Sequence, residues 1–372
     1  MKQKHVAFIV EPVYGHLVPT LGIASELLRI GYRVSYAIKE QFETRIHAIG
    51  AEALIYQPLE NKVKMFHEVR RKGTYYWGKE TIDRDEDLTN LGKKMWDEEV
   101  QDTFSKLESL YKHDRPDVIL YDCMNPAGRR LADALGVAAI EHSPLLITKD
   151  NPFWSYDERL VLVSIPRFFQ RNAEELDDRF QFVGFIQNDR KKFFAPWKSQ
   201  FPGRKTVLVS ATTGLLPQIE FLRAAIAAFS DSAYQIVLSI GDQTSPSLLA
   251  PLPVNCEVNR CSANLEILET ASLFVGQAGT GSVLEALYCA VPQLLVPPPF
   301  PAFDDNAIRI AELGLGTRLQ ESEATVENLK KAAEGLLQDD ATRSRLQEVA
   351  KGMRAGNGAR IAANLIGTHI SR

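Results

Sequence analysis

Cysteine is scarce. The 372-residue chain holds four, Cys123, Cys256, Cys261 and Cys289, with no CxxC pair and no even ladder of spacings, which argues against a disulfide framework or a zinc site. They read as reduced thiols of a cytoplasmic protein. A run of about 18 apolar residues is missing, and Met1-Lys-Gln-Lys-His5 leads straight into a strand pattern, so neither a membrane span nor a signal peptide is expected. Charge of one sign is missing too. With 43 Lys and Arg against 47 Asp and Glu the net charge is −4 at pH 7, which removes the global electrostatic case for nucleic acid or an anionic membrane and points to small or neutral partners. Finally, there is no Gly-Lys-Ser/Thr loop ending and no GxGxxG near the start of a domain, which disfavours a kinase or a dehydrogenase.

What is present is a globular composition, 45% hydrophobic and 24% charged, at a length that suits two domains. Short β-branched and aromatic runs alternate with longer segments of helical period, the pattern of βαβ units and a mainly parallel sheet. His5-Val-Ala-Phe-Ile-Val10 reads as a buried strand, followed by a loop with Pro12 and Gly15. Leu17, Leu21, Ala24 and Leu28 then recur at helical spacing until Gly31. Further strands are expected at Tyr32 to Ile38, Asp117 to Tyr121, Ala138 to His142 and Val161 to Ile165. Between Ile186 and Pro202 the period stops, and charge and turn formers take over. A second series follows at Thr206 to Ser210, Gln235 to Ser239, Leu273 to Val275 and Gln293 to Val296. The expected division is 1–185, a linker 186–203, a second domain 204–355 and a C-terminal helix 356–372, with Ala341 to Ile370 forming one or two helices. Residues 57–106 are dense in charge with Phe66, Tyr75, Tyr76, Trp77 and Trp96 among it, which fits amphipathic helices and loops laid over a core.

Open α/β sheets bind ligands outside the carboxyl ends of their strands. His16 falls there, close to a helix start whose positive end disfavours the imidazolium and leaves the neutral ring able to take a proton. That suits a general base, although periodicity alone favours a histidine that merely caps or packs at the helix entry. Asp122 ends a strand on the same rim, where a carboxylate orients an imidazole and stabilises its cation, or caps the next helix. Val275-Gly-Gln-Ala-Gly-Thr-Gly-Ser282 joins a strand to the helical segment Val283 to Tyr288. Its glycines admit close backbone approach, and the N–H groups at 280 to 282 would face an anion, so the turn is a diphosphate cradle by mechanism.

Tyr14-Gly-His-Leu-Val-Pro-Thr-Leu21, Asp122 before Ala127-Gly-Arg-Arg-Leu-Ala-Asp-Ala-Leu-Gly136, Ile165-Pro-Arg-Phe-Phe-Gln170 and Phe182-Val-Gly184 resemble the N-terminal domain of bacterial macrolide-type glycosyltransferases. The second half resembles their donor domain through Val207-Leu-Val-Ser-Ala-Thr-Thr213, Leu265-Glu-Ile-Leu268, Gly276 to Ser282 with Glu285-Ala-Leu287, and Asn306-Ala307 with Leu313-Gly-Leu-Gly316. The resemblance implies a GT-B fold, two Rossmann-like α/β domains facing a cleft, and an inverting transferase that needs no metal or other cofactor. It implies His16 as the catalytic base and Asp122 as its acidic partner. Ser210 and Thr213 match the turn near the donor diphosphate, Gly279, Thr280, Gly281 and Ser282 the cradle, and Glu285 the ribose-binding acid. The partners implied are a UDP- or dTDP-sugar and a small hydrophobic natural product carrying a hydroxyl.

Three departures matter. Gln277-Ala-Gly279 stands where the family usually has His-Gly-Gly; the amide can still donate a hydrogen bond to phosphate but carries no charge. Ala263-Asn264 replaces the usual Pro-Gln, so the base-stacking segment is not carried over. Ala302 and Phe303 occupy the positions of an acidic–glutamine pair that contacts sugar hydroxyls, with Asp304 and Asp305 displaced. Either a backbone shift brings Asp304 or Asp305 to the sugar, or the sugar lacks hydroxyls that the family usually reads. His142, Phe153 and Trp154 are candidates to line the acceptor site, with rim packing as the competing account. Two other functions stay open: a sugar-nucleotide epimerase of the same fold, and an inactive nucleotide-sugar-binding auxiliary protein.

Overall fold

The computed structural model describes residues 3–61, 86–148, 157–187, 196–211, 218–230, 233–240, 244–259, 264–298 and 300–370. The chain divides into two compact units, Met1–Asp189 with Asn357–Arg372, and Arg190–Gly356.

The first unit is built on β1 (His5–Ile9), β2 (Arg33–Ile38), β3 (Glu52–Ile55), β4 (Val118–Asp122), β5 (Ala138–Ser143), β6 (Val161–Val163) and β7 (Phe180–Phe182). These strands lie in the order β3-β2-β1-β4-β5-β6-β7, and every pairing is parallel. β1 and β4 are buried at every residue, which is why both read as unbroken apolar runs rather than alternating ones. The helices are α1 (Tyr14–Arg29), α2 (Glu43–Ala48), α3 (Glu86–Tyr111) and α4 (Ala127–Leu135). On α3, Trp96, Val100, Leu107 and Tyr111 are buried in one core with Ile9, Ile119, Tyr121 and Leu131. α4 sits close on the sheet at Gly128, where a Cβ would lie 2.4 Å from Tyr121 Cβ and 3.1 Å from Ile9 Cβ. Only glycine permits that approach, directly behind the ends of β1 and β4.

Helix α1 starts earlier than its apolar period predicts. It opens at Tyr14, so His16 rides on the first turn and Pro19 falls inside the helix. The missing N–H of Pro19 costs one backbone bond near an end where several donors lack intrahelical partners anyway. Apolar burial of Leu17, Leu21, Ile23, Ala24 and Leu27 holds the helix on the sheet, each large side chain contributing about 1.5–3 kcal/mol.

The second unit repeats the plan with β8 (Lys205–Ser210), β9 (Tyr234–Ser239), β10 (Cys256–Asn259), β11 (Ala271–Gly276), β12 (Gln293–Leu295) and β13 (Gly316–Arg318), in the order β10-β9-β8-β11-β12-β13, again all parallel. Its helices are α5 (Ile219–Phe229), α6 (Asn264–Leu268), α7 (Thr280–Tyr288), α8 (Pro301–Glu312), α9 (Val326–Gln338) and α10 (Asp340–Ala355). The C-terminal segment forms two helices, because α10 stops before Gly356 and α11 (Gly358–Ile370) starts afresh. α11 belongs to the first unit and packs on α1.

In each unit the strand order reverses next to the first strand, between β1 and β4 and between β8 and β11. Connections leave in opposite directions at such a point and open a crevice at the carboxyl ends of the strands. His16 and Asp122 mark the first of these points; Ser210 and the 277–282 turn mark the second.

Candidate active site

His16 stands on the first turn of α1 and Asp122 is the last residue of β4. His16 Nδ1 is 2.9 Å from both Asp122 Oδ1 and Oδ2. The carboxylate is wholly buried while the imidazole is 13% exposed. With Nδ1 facing a carboxylate the ring carries its proton there, which leaves Nε2 as the unprotonated nitrogen of the neutral form. Asp122 Oδ1 also accepts the backbone N–H of Met124 at 2.8 Å. Burial pushes the carboxyl up, but the imidazoles of His16 and His142, each through both charge and hydrogen bonding, outweigh it and hold the group well below the usual carboxylate range. An imidazole held in this way by an ionised carboxylate is able to take a proton and have the resulting cation stabilised.

His142, a candidate for the acceptor site, is found packed inside the unit rather than on a rim: its side chain is wholly buried, with Nε2 3.0 Å from Ser164 Oγ. Its position beside Asp122 in the β4–β5 register draws it inward. Phe153 and Trp154, the other acceptor candidates, lie outside the described residues, as does Thr213.

Among the described residues, His16, Asp122 and Cys123 offer ligand atoms within 4.8 Å of one another. Their chemistry suits a metal poorly. Burial pushes the Cys123 thiol up, so it stays protonated and a weak ligand, and both Asp122 oxygens already accept hydrogen bonds.

In the second unit β11 runs into Gln277-Ala278-Gly279 and then α7. Ala278 takes a left-handed conformation, φ +62°, which turns the chain sharply into the helix. The N-cap of α7 is Gly279, which has no side chain to cap the helix, and a Cβ at Gly281 would meet nothing within 4 Å. The first N–H groups of an α-helix lack intrahelical partners and sit at its positive end, which is what an anion cradle uses. Ser210 ends β8 in register with Gly276, and its Oγ accepts from Asn264 Nδ2 at 3.3 Å. Glu285 is buried further along α7. Gln277 is 1% exposed, and its Nε2 donates to Gln218 Oε1 at 2.6 Å, so one of the two amide hydrogens expected to serve phosphate is already used.

On α8, Asp304 makes a two-point ion pair with Arg318 at the end of β13, Nε to Oδ1 2.5 Å and a second nitrogen to Oδ2 3.0 Å. Its carboxylate is thus already engaged by Arg318. Asp305 and Phe303 are half-buried, and the Phe303 ring meets Phe300 edge-on at 6.5 Å.

Comparison with known proteins decides the family. The chain is 31% identical to the NDP-glycosyltransferase YjiC of Bacillus subtilis, over 98% of its own length and 96% of the relative's. It belongs to the macrolide-type glycosyltransferases. The family model for the C-terminal domain of erythromycin biosynthesis protein CIII-like proteins matches residues 223–366 of this glycosyltransferase. The demethyllactenocin mycarosyltransferase of Streptomyces fradiae is 30% identical to it over 98% of this chain and 86% of that one. The crystal structure of the calicheamicin glycosyltransferase CalG4 superposes with a TM-score of 0.79 at 26% identity, covering 100% of this chain and 99% of the other. The two parallel α/β units are those of the GT-B fold.

The partnerships of two residues of this glycosyltransferase emerge only from the structure. Asn306 is buried, and its Nδ2 donates to Ala278 O and Thr280 Oγ1, each at 2.9 Å; it clamps the two sides of the 278–280 turn. The spacing of Asn306 within an amphipathic helix gave no sign of a target outside that helix. Gln218, next to α5, is the partner of Gln277, and its only sequence signal is a polar residue at a buried helix start.

Proposed function

We propose that the protein is a cytoplasmic, inverting, metal-independent glycosyltransferase that moves a sugar from a UDP- or dTDP-sugar to a hydroxyl of a hydrophobic natural product. The observation that carries the reading is the contact of His16 Nδ1 with both oxygens of a buried, ionised Asp122. The acceptor O–H gives its proton to His16 Nε2 while its oxygen forms the new bond at the anomeric carbon. The bond from that carbon to the diphosphate oxygen breaks on the opposite face, which inverts the configuration. Asp122 stabilises the imidazolium as it forms, and the N–H groups at the start of α7 stabilise the departing nucleoside diphosphate. No step needs a cation, because the helix end supplies the anion stabilisation that a metal would otherwise give. The acceptor class is supported by relatives named for macrolide substrates, the demethyllactenocin mycarosyltransferase and the oleandomycin glycosyltransferase of Streptomyces antibioticus.

The deciding experiment measures sugar transfer and nucleotide-dependent thermal stabilisation side by side for the wild type and His16→Ala, with a panel of UDP- and dTDP-sugars and chelator present. The expected result is transfer in the wild type, none in His16→Ala, and stabilisation by the same nucleotide in both. Transfer retained by His16→Ala overturns the base assignment. Turnover of the donor without acceptor would point to an epimerase instead.

A further inference from the structure

Beside Asp122 stands a second imidazole that this mechanism leaves unused. His142 is the register partner of Asp122 across β4 and β5. Among the described residues its buried Nδ1 has no partner within 3.5 Å; Asp122 Oδ2 lies 3.9 Å from it, while Nε2 lies 3.0 Å from Ser164 Oγ. A buried polar atom without a partner costs roughly 1–3 kcal/mol, so what Nδ1 faces matters, and it faces the carboxylate. With the ring proton on Nε2, an Nδ1 lone pair would oppose a carboxylate oxygen. With the proton on Nδ1, an N–H dipole points at the anion and Nε2 accepts the Ser164 hydroxyl hydrogen, which is the electrostatically favoured tautomer.

We propose that His142 is a positioning residue: its Nδ1–H, with the tautomer fixed by Ser164, brackets Asp122 together with His16 and limits how much of the carboxylate's charge reaches His16. The other groups around this carboxylate are accounted for. Cys123 Sγ lies 3.9 Å from Asp122 Oδ1 and 3.7 Å from Ser143 Oγ, and it stays a neutral thiol. Met124 contributes its backbone N–H. Glu141, Tyr121, Glu158 and Arg129 form one linked group. Tyr121 and Glu141 precede Asp122 and His142 on their strands, so they project from the opposite face of the sheet. Among the described residues, His142 is therefore the second imidazole at Asp122 besides the base. The inference rests on His16 being that base.

The test uses two amides of different reach. Asparagine places its polar group near the position of Nδ1, and glutamine places it near Nε2. His142→Asn thus keeps a donor toward Asp122, whereas His142→Gln keeps only the Ser164 contact. Without the bracketing donor the full carboxylate charge acts on His16 and favours its protonated form. The acid limb of kcat/KM for the acceptor should then move up by about 0.5–1 pH unit in His142→Gln, stay at the wild-type position in His142→Asn, and leave the donor KM unchanged in both. A His142→Gln limb superposing on the wild type, or an equal shift in His142→Asn, overturns the proposal; a purely structural residue would lower activity and thermal stability without moving the limb. If His142→Gln does not fold, Ser164→Ala frees the ring tautomer with the ring in place and should shift the limb in the same direction by less, and an unmoved limb there counts against the proposal equally. His16→Ala separates the two failures. Transfer retained in that variant removes the base and this inference with it, whereas transfer lost there with an unmoved His142→Gln limb removes this inference alone.

Discussion

His16 Nδ1 lies 2.9 Å from both carboxylate oxygens of Asp122, across a sequence separation of 106 residues. A symmetrical contact of this kind fixes the ring's tautomer and rotation at once, and it needs a full negative charge on the aspartate. Asp122→Asn keeps the shape and removes the charge. One amide oxygen must then serve both Met124 N–H and His16, and the NH2 group turns a donor toward a nitrogen that needs an acceptor. Transfer should fall about 10²–10⁴-fold, with nucleotide-dependent stabilisation intact. Steady-state kinetics on the two proteins check this, and a loss under tenfold would mean the carboxylate is structural.

How much of this site was legible beforehand depends on where each residue sits in its sheet. The central strands, buried on both faces, read directly: β1, β4, β8 and β11 all lie where the apolar runs predict, and they carry His16, Asp122, Ser210 and the 277–282 turn to the switch points. The strands that the pattern missed are β3, β7, β10 and β13, and these are the edges of the two sheets. Their burial is partial, from Glu52 to Ile55 and from Gly316 to Arg318 above all, so no unbroken apolar run marks them. Side-chain partnerships across the fold were hidden for a different reason. The Asn306-Ala307 match marks Asn306 but not what its side chain holds, nothing local distinguishes Gln218 from a solvated polar residue, and the inward turn of His142 follows from its register with Asp122, which spacing does not reveal.

Glu141 ties stability to pH. It is 2% exposed, within hydrogen-bond reach of the Tyr121 hydroxyl at 3.4 Å. Burial, with the charges of Glu158 and Asp122 adding to it, pushes its carboxyl up to about 8. The folded state therefore holds this proton where the unfolded chain, titrating near the ordinary glutamate value of about 4.3, has released it. Between those two values the unfolded state binds fewer protons, so this group lowers stability as pH rises, by about 1.4 kcal/mol per pH unit, with no further loss above about 8. Glu141→Gln should flatten that slope and be the more stable protein at pH 8. Denaturant titrations at pH 5, 6.5 and 8 measure it; parallel slopes for the two proteins would exclude Glu141 as the source.

Ala290 closes α7 in a left-handed conformation, φ +59°. Val291 N–H bonds to Ala286 O at 2.9 Å and Ala290 N–H to Leu287 O at 3.1 Å, the helix-ending motif in which glycine is the usual residue. The equivalent turn after α4 does use glycine, Gly136 at φ +61°. Alanine there bears about 1–2 kcal/mol of steric cost, part of which glycine returns through the greater freedom of the unfolded chain. Ala290→Gly should raise stability by up to about 1 kcal/mol and leave kcat unchanged. A drop in the denaturation midpoint would show that the methyl group's packing outweighs the strain.

Asn306 bridges the carbonyl of Ala278 to the hydroxyl of Thr280 and so holds the strained turn against the first residue of α7. If the N–H groups that follow bind the donor diphosphate, their aim depends on this clamp more than on any residue in the turn. Asn306→Ala removes two buried hydrogen bonds and leaves Ala278 O and Thr280 Oγ1 in need of others, a loss of about 1–3 kcal/mol. Nucleotide affinity should fall with it, because a cradle that must be ordered on binding binds more weakly than one already formed. Asn306→Asp discriminates further: the shape is kept, but a carboxylate facing the Ala278 carbonyl repels it and adds a negative charge beside an anion site, so nucleotide binding should suffer more than in the alanine variant. Calorimetric titration of both variants with UDP and dTDP measures the effect. Affinity equal to the wild type in Asn306→Asp would place the diphosphate away from this helix end.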